Sequence, residues 1–233
     1  MKKIVLAALS AVTGSCAALA GDDLRVGIIG CDTSHATAFA KLANVDKNPA
    51  AAGMRVTAAY KWGSRDILSS TNRYPMFLAQ LKEYGVEMKD SIPELLKDVD
   101  CVLLETNDGR PHYAQALDVF KSGKPCFIDK PAAHDLADVW RLVEAGRKLN
   151  AKWFCSSSLR FADNIADARA GKLGKLRGAS TRSPCGIEPT HSRYYWYAIH
   201  GTEPLFAILG TGCKEVRCIA GASEDVLVGT WND

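Results

Sequence analysis

From Leu24 onward, apolar runs of strand length alternate with stretches whose apolar residues recur at helical spacing. Residues 25–29 and 55–60 predict the first two strands, and between them a helix over 34–44 sets Phe39, Leu42 and Ala43 on one side. A helix through Phe77, Leu78 and Leu81 stops at Gly85, ahead of a short third strand at 86–88. Ser91 with Glu94 three residues on is a capping box, opening a brief helix with Leu95 and Leu96 inward. Residues 101–104 are uninterruptedly apolar, as in a strand covered on both faces. A helix over 112–121 ended by Gly123, a strand at 126–128, an amphipathic helix over 136–149 and a strand at 153–155 continue the series. This alternation predicts an α/β fold with a Rossmann-like, doubly wound parallel sheet.

Beyond Ser156 the rhythm changes. Residues 176–183 have the look of a strand, 194–209 of a helix, and 216–220 and 226–231 of two strands without a helix between them. The expected division is a first domain over 21–156 and, over 157–233, the start of an α+β second domain whose sheet is unfinished, so that the chain reads as a fragment.

The first twenty residues stand apart. A basic Met1-Lys2-Lys3, a short apolar stretch over 4–12 and the small-x-small Ala18-Leu19-Ala20 predict a signal peptide cleaved after Ala20. Thr13 ranks a lipoprotein signal around Cys16 lower, and there is no arginine pair. The expected location is therefore outside the cytoplasm, in the periplasm, by unfolded export.

Composition changes this picture little. A net charge of +3 with no basic run excludes nucleic acid as a partner, and no segment is long and apolar enough to predict a membrane span. The cysteines left after cleavage are unevenly spaced, contain no CxxC pair and predict no disulfide framework. Cys185, Glu188 and His191 are evenly spaced but lie in a proline-containing loop without fixed geometry, so no metal site is expected.

The chemistry concentrates at "VGIIGCDTSH", residues 26–35. A buried strand, Gly30 at its end and a helix starting near Ser34 form the cradle for a dinucleotide diphosphate. The pattern G-x-G-x-x-G then places Asp32 and His35 where glycines would stand. Asp32 either caps the helix, with Thr33 and Ser34 also able to cap or to donate to phosphate, or brings like charge into the ligand's space. After the second strand no acidic residue awaits a ribose 2′-hydroxyl, whereas Lys61, Ser64 and Arg65 suit a 2′-phosphate. The cofactor expected is NADP or NAD, leaning to NADP.

Together with "DCVLLETNDGRPH", "SGKPCFIDKPAAHDLADVWRLVEAGRKLNAKWFCSSSLRF" and "WYAIHGTEPLFAILG", this stretch resembles the glucose–fructose oxidoreductase/inositol dehydrogenase (Gfo/Idh/MocA) family over residues 24–210. The most specific piece is "GKPCFIDKPAA", with Asp129 in place of the family's glutamate. The resemblance implies two-domain NAD(P)-dependent enzymes acting mostly on sugars and polyols. It assigns the nucleotide domain to 21–156, and to Lys130 a catalytic role beside the substrate hydroxyl. His200 matches a second catalytic position, although Trp196 stands where the family has an aspartate four residues earlier; Tyr197 or Glu203 would have to take over that proton. His112, Asn107 and Asp129 fall among cofactor-side positions, and Arg160 and Tyr197 on the substrate side. The expected partner is a carbohydrate-like small molecule, with homo-oligomerisation left open. Asp32, Trp196 and the early terminus favour the alternative of a non-catalytic carbohydrate- or nucleotide-binding relative.

Overall fold

The computed structural model describes residues 23–231; the signal-peptide expectation for 1–20 lies outside them. Six parallel strands form one sheet in the order β3-β2-β1-β4-β5-β6, comprising β1 (Leu24–Ile29), β2 (Met54–Tyr60), β3 (Glu87–Lys89), β4 (Cys101–Leu104), β5 (Cys126–Asp129) and β6 (Trp153–Ser156). Helices α1 (Ser34–Ala40), α2 (Tyr74–Glu83), α3 (Ile92–Asp98), α4 (His112–Lys121) and α5 (Leu136–Lys148) connect them. The strand order reverses between β1 and β4, where doubly wound sheets leave a crevice at their carboxyl ends.

Period-two alternation sorts each strand's side chains onto two cores. Val26, Ile28, Val56, Leu103 and Phe127 pack with Phe39 and Leu42, Phe39 meeting Phe127 edge-on at 6.1 Å. Ile29, Val102, Leu104 and Ile128 pack instead with Leu95, Val119, Phe120 and Leu142. Strands buried on both faces are why β4 and β5 read as continuous apolar runs. The helix predicted over 34–44 is one rod whose last turn, Lys41–Val45, widens to a π-turn. Asn44 there donates to Val56 O and Tyr84 O and accepts from Val56 N, clamping the rod to its neighbours.

After β6 come a 3₁₀ turn (Ser158–Phe161), α6 (Asp163–Arg169), α7 (Ile199–Leu209) and an antiparallel ribbon of β7 (Cys213–Ala220) and β8 (Asp225–Trp231). The strand predicted at 176–183 does not form. That segment is largely exposed, its alternation is too weak to bury a face, and β7 and β8 pair with each other instead. The helix predicted to begin at 194 begins at Ile199, preceded by turns. Among the described residues there is no disulfide, and no helix is long and apolar enough to cross a membrane.

Candidate active site

Three loops meet over the end of β1, and Asp32 ties them. Its Oδ2 accepts from Ser64 N, in the loop after β2, and its Oδ1 accepts from Asn107 N, in the loop after β4, both at 3.0 Å. Asp32 is 0% exposed. Burial raises its carboxyl above the usual range, against the opposing pull of those N–H groups. Both sequence alternatives for this residue are thus replaced: the helix cap is Thr33, whose hydroxyl accepts from His35 N and Ala36 N at 3.1 and 3.3 Å, and the carboxylate faces inward.

The tie extends sideways. Ser64 Oγ lies 3.0 Å from Asp66 Oδ1 and 3.2 Å from Asp108 Oδ2, and Arg110 bridges the same two carboxylates. Asn107 Nδ2 donates to Ser70 Oγ at 2.9 Å. His112, fully buried, has Nε2 at 2.8 Å from Thr106 O and Nδ1 at 3.2 Å from Ala132 O, which joins the loop after β4 to the loop after β5. Asp32, Ser64, Asn107 and His112, expected on the cofactor side, are therefore internal ties of the rim; neither Asp32 nor His112 has surface with which to touch a ligand. Ser34 is exposed, and Arg65 is exposed without a hydrogen-bond partner among the described residues. Lys61, by contrast, pairs with Asp90.

The Arg110 bridge makes an acid-stability prediction. Hydrogen bonding to Arg110 holds the Asp66 carboxyl down at about 2. Arg110 also keeps Asp108 low, although burial works the other way. A carboxyl lowered on folding stabilises the native state above its unfolded pKa, roughly 3.9, and that contribution disappears as pH falls toward 2. Arg110→Met should therefore melt below the parent protein at pH 6, the gap closing by pH 2 in thermal melts; a gap independent of pH would remove this role.

On the other side of the crevice, β5 delivers Asp129 and Lys130, joined to Pro131 by a cis peptide. Asp129 Oδ2 lies 2.7 Å from His35 Nδ1. Burial opposes ionisation of Asp129, but His35 and the Lys130 charge outweigh it and hold the carboxyl below its usual range. Glu105, just past β4, is anchored by Glu105 N donating to Ile29 O at 2.7 Å. Its side chain is 0% exposed, and neither carboxylate oxygen has a hydrogen-bond partner among the described residues. Burial and the neighbouring Asp129 push it well above the usual carboxyl range. Sequence reading missed Glu105; the available signal was one acid directly following the apolar run of β4.

The segment beyond β6 closes the arrangement. Lys130 Nζ stands 5.5 Å from the Tyr197 ring centre, and Tyr197 contacts the His200 ring at 4.7 Å. Ser157 Oγ accepts from Leu159 N at 3.2 Å and lies 2.8 Å from His200 Nδ1. With one lone pair taken by Leu159 N, Ser157 Oγ can still either donate to Nδ1 or accept from it, and in both cases Nε2 is left free to face the crevice. Burial, and then the Lys130 charge, lower His200 to about 4, so the ring is neutral at pH 7. Glu203 accepts from Ser157 N and pairs with Arg160 at 3.5 Å, so Arg160 is committed to an ion pair within this segment. Trp196 packs on the His191 ring at 4.8 Å, and His191 Nε2 accepts from Gly109 N at 3.0 Å.

The family described as "Oxidoreductase family, NAD-binding Rossmann fold" (GFO_IDH_MocA) matches residues 24–156, more than half of the chain. The chain belongs to this family. No curated protein matches it. Among solved structures it is similar to a putative myo-inositol dehydrogenase from Sinorhizobium meliloti 1021 (19% identity, TM-score 0.63, covering 84% of this chain and 58% of that one). A probable dehydrogenase from Thermotoga maritima is similar at 21% identity and a TM-score of 0.62, with the same coverage of 84% and 58%. The biliverdin reductase of Synechocystis sp. PCC 6803, solved with biliverdin and NADP+, is similar at 20% identity and a TM-score of 0.55, covering 84% and 60%. The chain thus spans about three fifths of these proteins' length, and at such identities the likeness is one of fold.

The crevice fits the dinucleotide that the Gfo/Idh/MocA family binds. Gly30 turns at φ +92°, and a side chain there would meet the Thr106 backbone, so the tight turn of the phosphate fingerprint is kept. The Asp32 carboxylate, withdrawn from the surface with both oxygens held by N–H groups, does not face a ligand lying over that turn.

Proposed function

We propose that this chain carries out NAD(P)-dependent oxidation or reduction of a hydroxyl or carbonyl on a sugar, polyol or related carbohydrate. The supporting observation is the convergence of Lys130, Tyr197 and His200, brought from β5 and from the α7 region to one end of the crevice. In this assignment residues 21–156 hold the nucleotide and 157–233 begin the substrate side. Gly30, Ser34 and Arg65 would hold the cofactor, with Arg65 favouring NADP. When bound, the nicotinamide supplies hydride chemistry at the substrate carbon.

The chain's own residues act on the substrate oxygen. Lys130, held against the Tyr197 face, offers an ammonium that hydrogen-bonds a hydroxyl and stabilises negative charge developing on it. His200, kept neutral and held through Nδ1 by Ser157, offers Nε2 to the substrate oxygen, accepting the hydroxyl proton in oxidation or returning it in reduction. Glu203 and Arg160 set the Ser157 backbone from behind. With the location expected from residues 1–20, the protein works after export, away from a soluble nucleotide pool, so a retained nucleotide would need a second substrate of the opposite oxidation level, a carbonyl after a hydroxyl or the reverse, to complete a cycle.

Titrating the purified full chain with NADPH and NADH, followed by nucleotide fluorescence, tests this. One equivalent of NADPH should bind at least tenfold more tightly than NADH, and Arg65→Ala should narrow the difference. Failure of both nucleotides to bind would overturn the assignment. Nucleotide binding without turnover of any polyol or sugar would establish the non-catalytic alternative, which Trp196 favours.

A further inference from the structure

We propose that His35, Glu105 and Asp129 form a binding site for one divalent transition-metal ion, of the nitrogen- and oxygen-preferring kind such as Mn²⁺, Co²⁺ or Zn²⁺. The three side chains come from separate elements: His35 from the first turn of α1, Glu105 from the end of β4 and Asp129 from the end of β5. Each offers one ligand atom, and these atoms lie within 4.8 Å of one another. One imidazole and two carboxylates are a donor set that borderline divalent ions accept, and three protein ligands leave coordination positions open.

Glu105 is the independent observation. It is buried without accessible surface, its two oxygens have no hydrogen-bond partner among the described residues, and it faces a second buried carboxylate. Removing a polar group from water without a partner costs on the order of 1–3 kcal/mol, more for a charge. Internal groups do not settle this. His35 is spent on Asp129, and no hydrogen bond from Lys130 to Glu105 is formed; Lys130 stands over Tyr197. A dication between the carboxylates satisfies Glu105 and offsets the repulsion of the pair together. Ligand atoms about 2.1 Å from one ion are spaced about 3.0 Å apart in octahedral and about 3.4 Å in tetrahedral coordination. The 2.7 Å contact between His35 and Asp129 therefore opens by about 0.3–0.7 Å, while any pair near the 4.8 Å limit closes by more than about 1 Å. His35 keeps about a third of its side chain exposed, which gives the ion a way in.

A second cluster, His134, Asp135 and Asp138, serves as the internal comparison. There Asp135 already caps α5 by accepting from Asp138 N, and Asp138 pairs with Arg141 at 2.8 Å, so its carboxylates have work without an ion. The His35 cluster lies beside Lys130, and an ion there has positions left for water or for a substrate oxygen.

The test uses the full chain after dialysis against a chelator, with no nucleotide present, so its result does not depend on the redox assignment. Titration with Co²⁺, read by visible absorption and by equilibrium dialysis, should show one ion per chain. Glu105→Gln and Asp129→Asn should each weaken binding at least thirtyfold, whereas Asp138→Asn should leave it unchanged. Saturating Co²⁺ should also raise the melting temperature of the parent protein but not that of Glu105→Gln. Should either variant misfold, His35→Gln at the rim carries the same expectation. No stoichiometric binding, or binding that survives the changes at Glu105, Asp129 or His35, would overturn the proposal, as would loss through Asp138→Asn.

Discussion

Gly30→Ala should lower stability by about 2–5 kcal/mol. Two penalties combine. At φ +92° an L side chain is strained by about 1–2 kcal/mol, and the new Cβ would sit 2.6 Å from the Thr106 N and Cα atoms. Backbone cannot swing aside as a side-chain tip can, so overpacking adds roughly 1–3 kcal/mol or more. For a chain of this size the melting temperature should fall by about 10 °C. Gly53→Ala separates the penalties, since Gly53 has a similar φ of +76° with nothing within 4 Å of the point a Cβ would occupy, and it should lose only about 1 kcal/mol. Equal losses at the two positions, measured by denaturant unfolding, would mean that the approach of β1 to Thr106 does not matter.

Asp32→Gly should destabilise the protein even though it restores the glycine of the nucleotide fingerprint. Removing the carboxylate leaves Ser64 N and Asn107 N without their acceptor, at about 1–3 kcal/mol each, and a glycine in the loop adds about 0.5–1 kcal/mol of backbone entropy. The expected loss is about 2.5–7 kcal/mol. Asp32→Asn, which keeps one carbonyl acceptor but turns an amide NH₂ toward the other donor, should fall between. An Asp32→Gly protein that melts with the parent would show that the carboxylate is ornamental to the rim.

The architecture was legible because its signal is local and repeated. The apolar runs of β1, β4 and β5, the Ser91 cap and the glycines ending α2 and α4 each stated one element and agreed on a parallel sheet. The strand predicted at 176–183 failed because a strand needs a partner, and pairing is a non-local fact that eight residues do not contain. Asp32 was legible as an anomaly but not as a tie, since its partners lie 32 and 75 residues further along the chain. Lys130 and His200 came from the family resemblance, and the structure adds what a motif omits: Tyr197 under the ammonium and Ser157 behind the imidazole. Glu105 stayed hidden because nothing in the string distinguishes a carboxylate pointing out to water from one sealed beneath the sheet's rim.

The Asp32 tie also bears on how a guest would be received. A bound nucleotide can supply the anion that gathers the amides of the turns above such a sheet. Here the chain supplies its own anion, so those turns are in place before any visitor arrives. Association then forfeits little freedom of motion, and discrimination among visitors rests on how well each matches a shape already set.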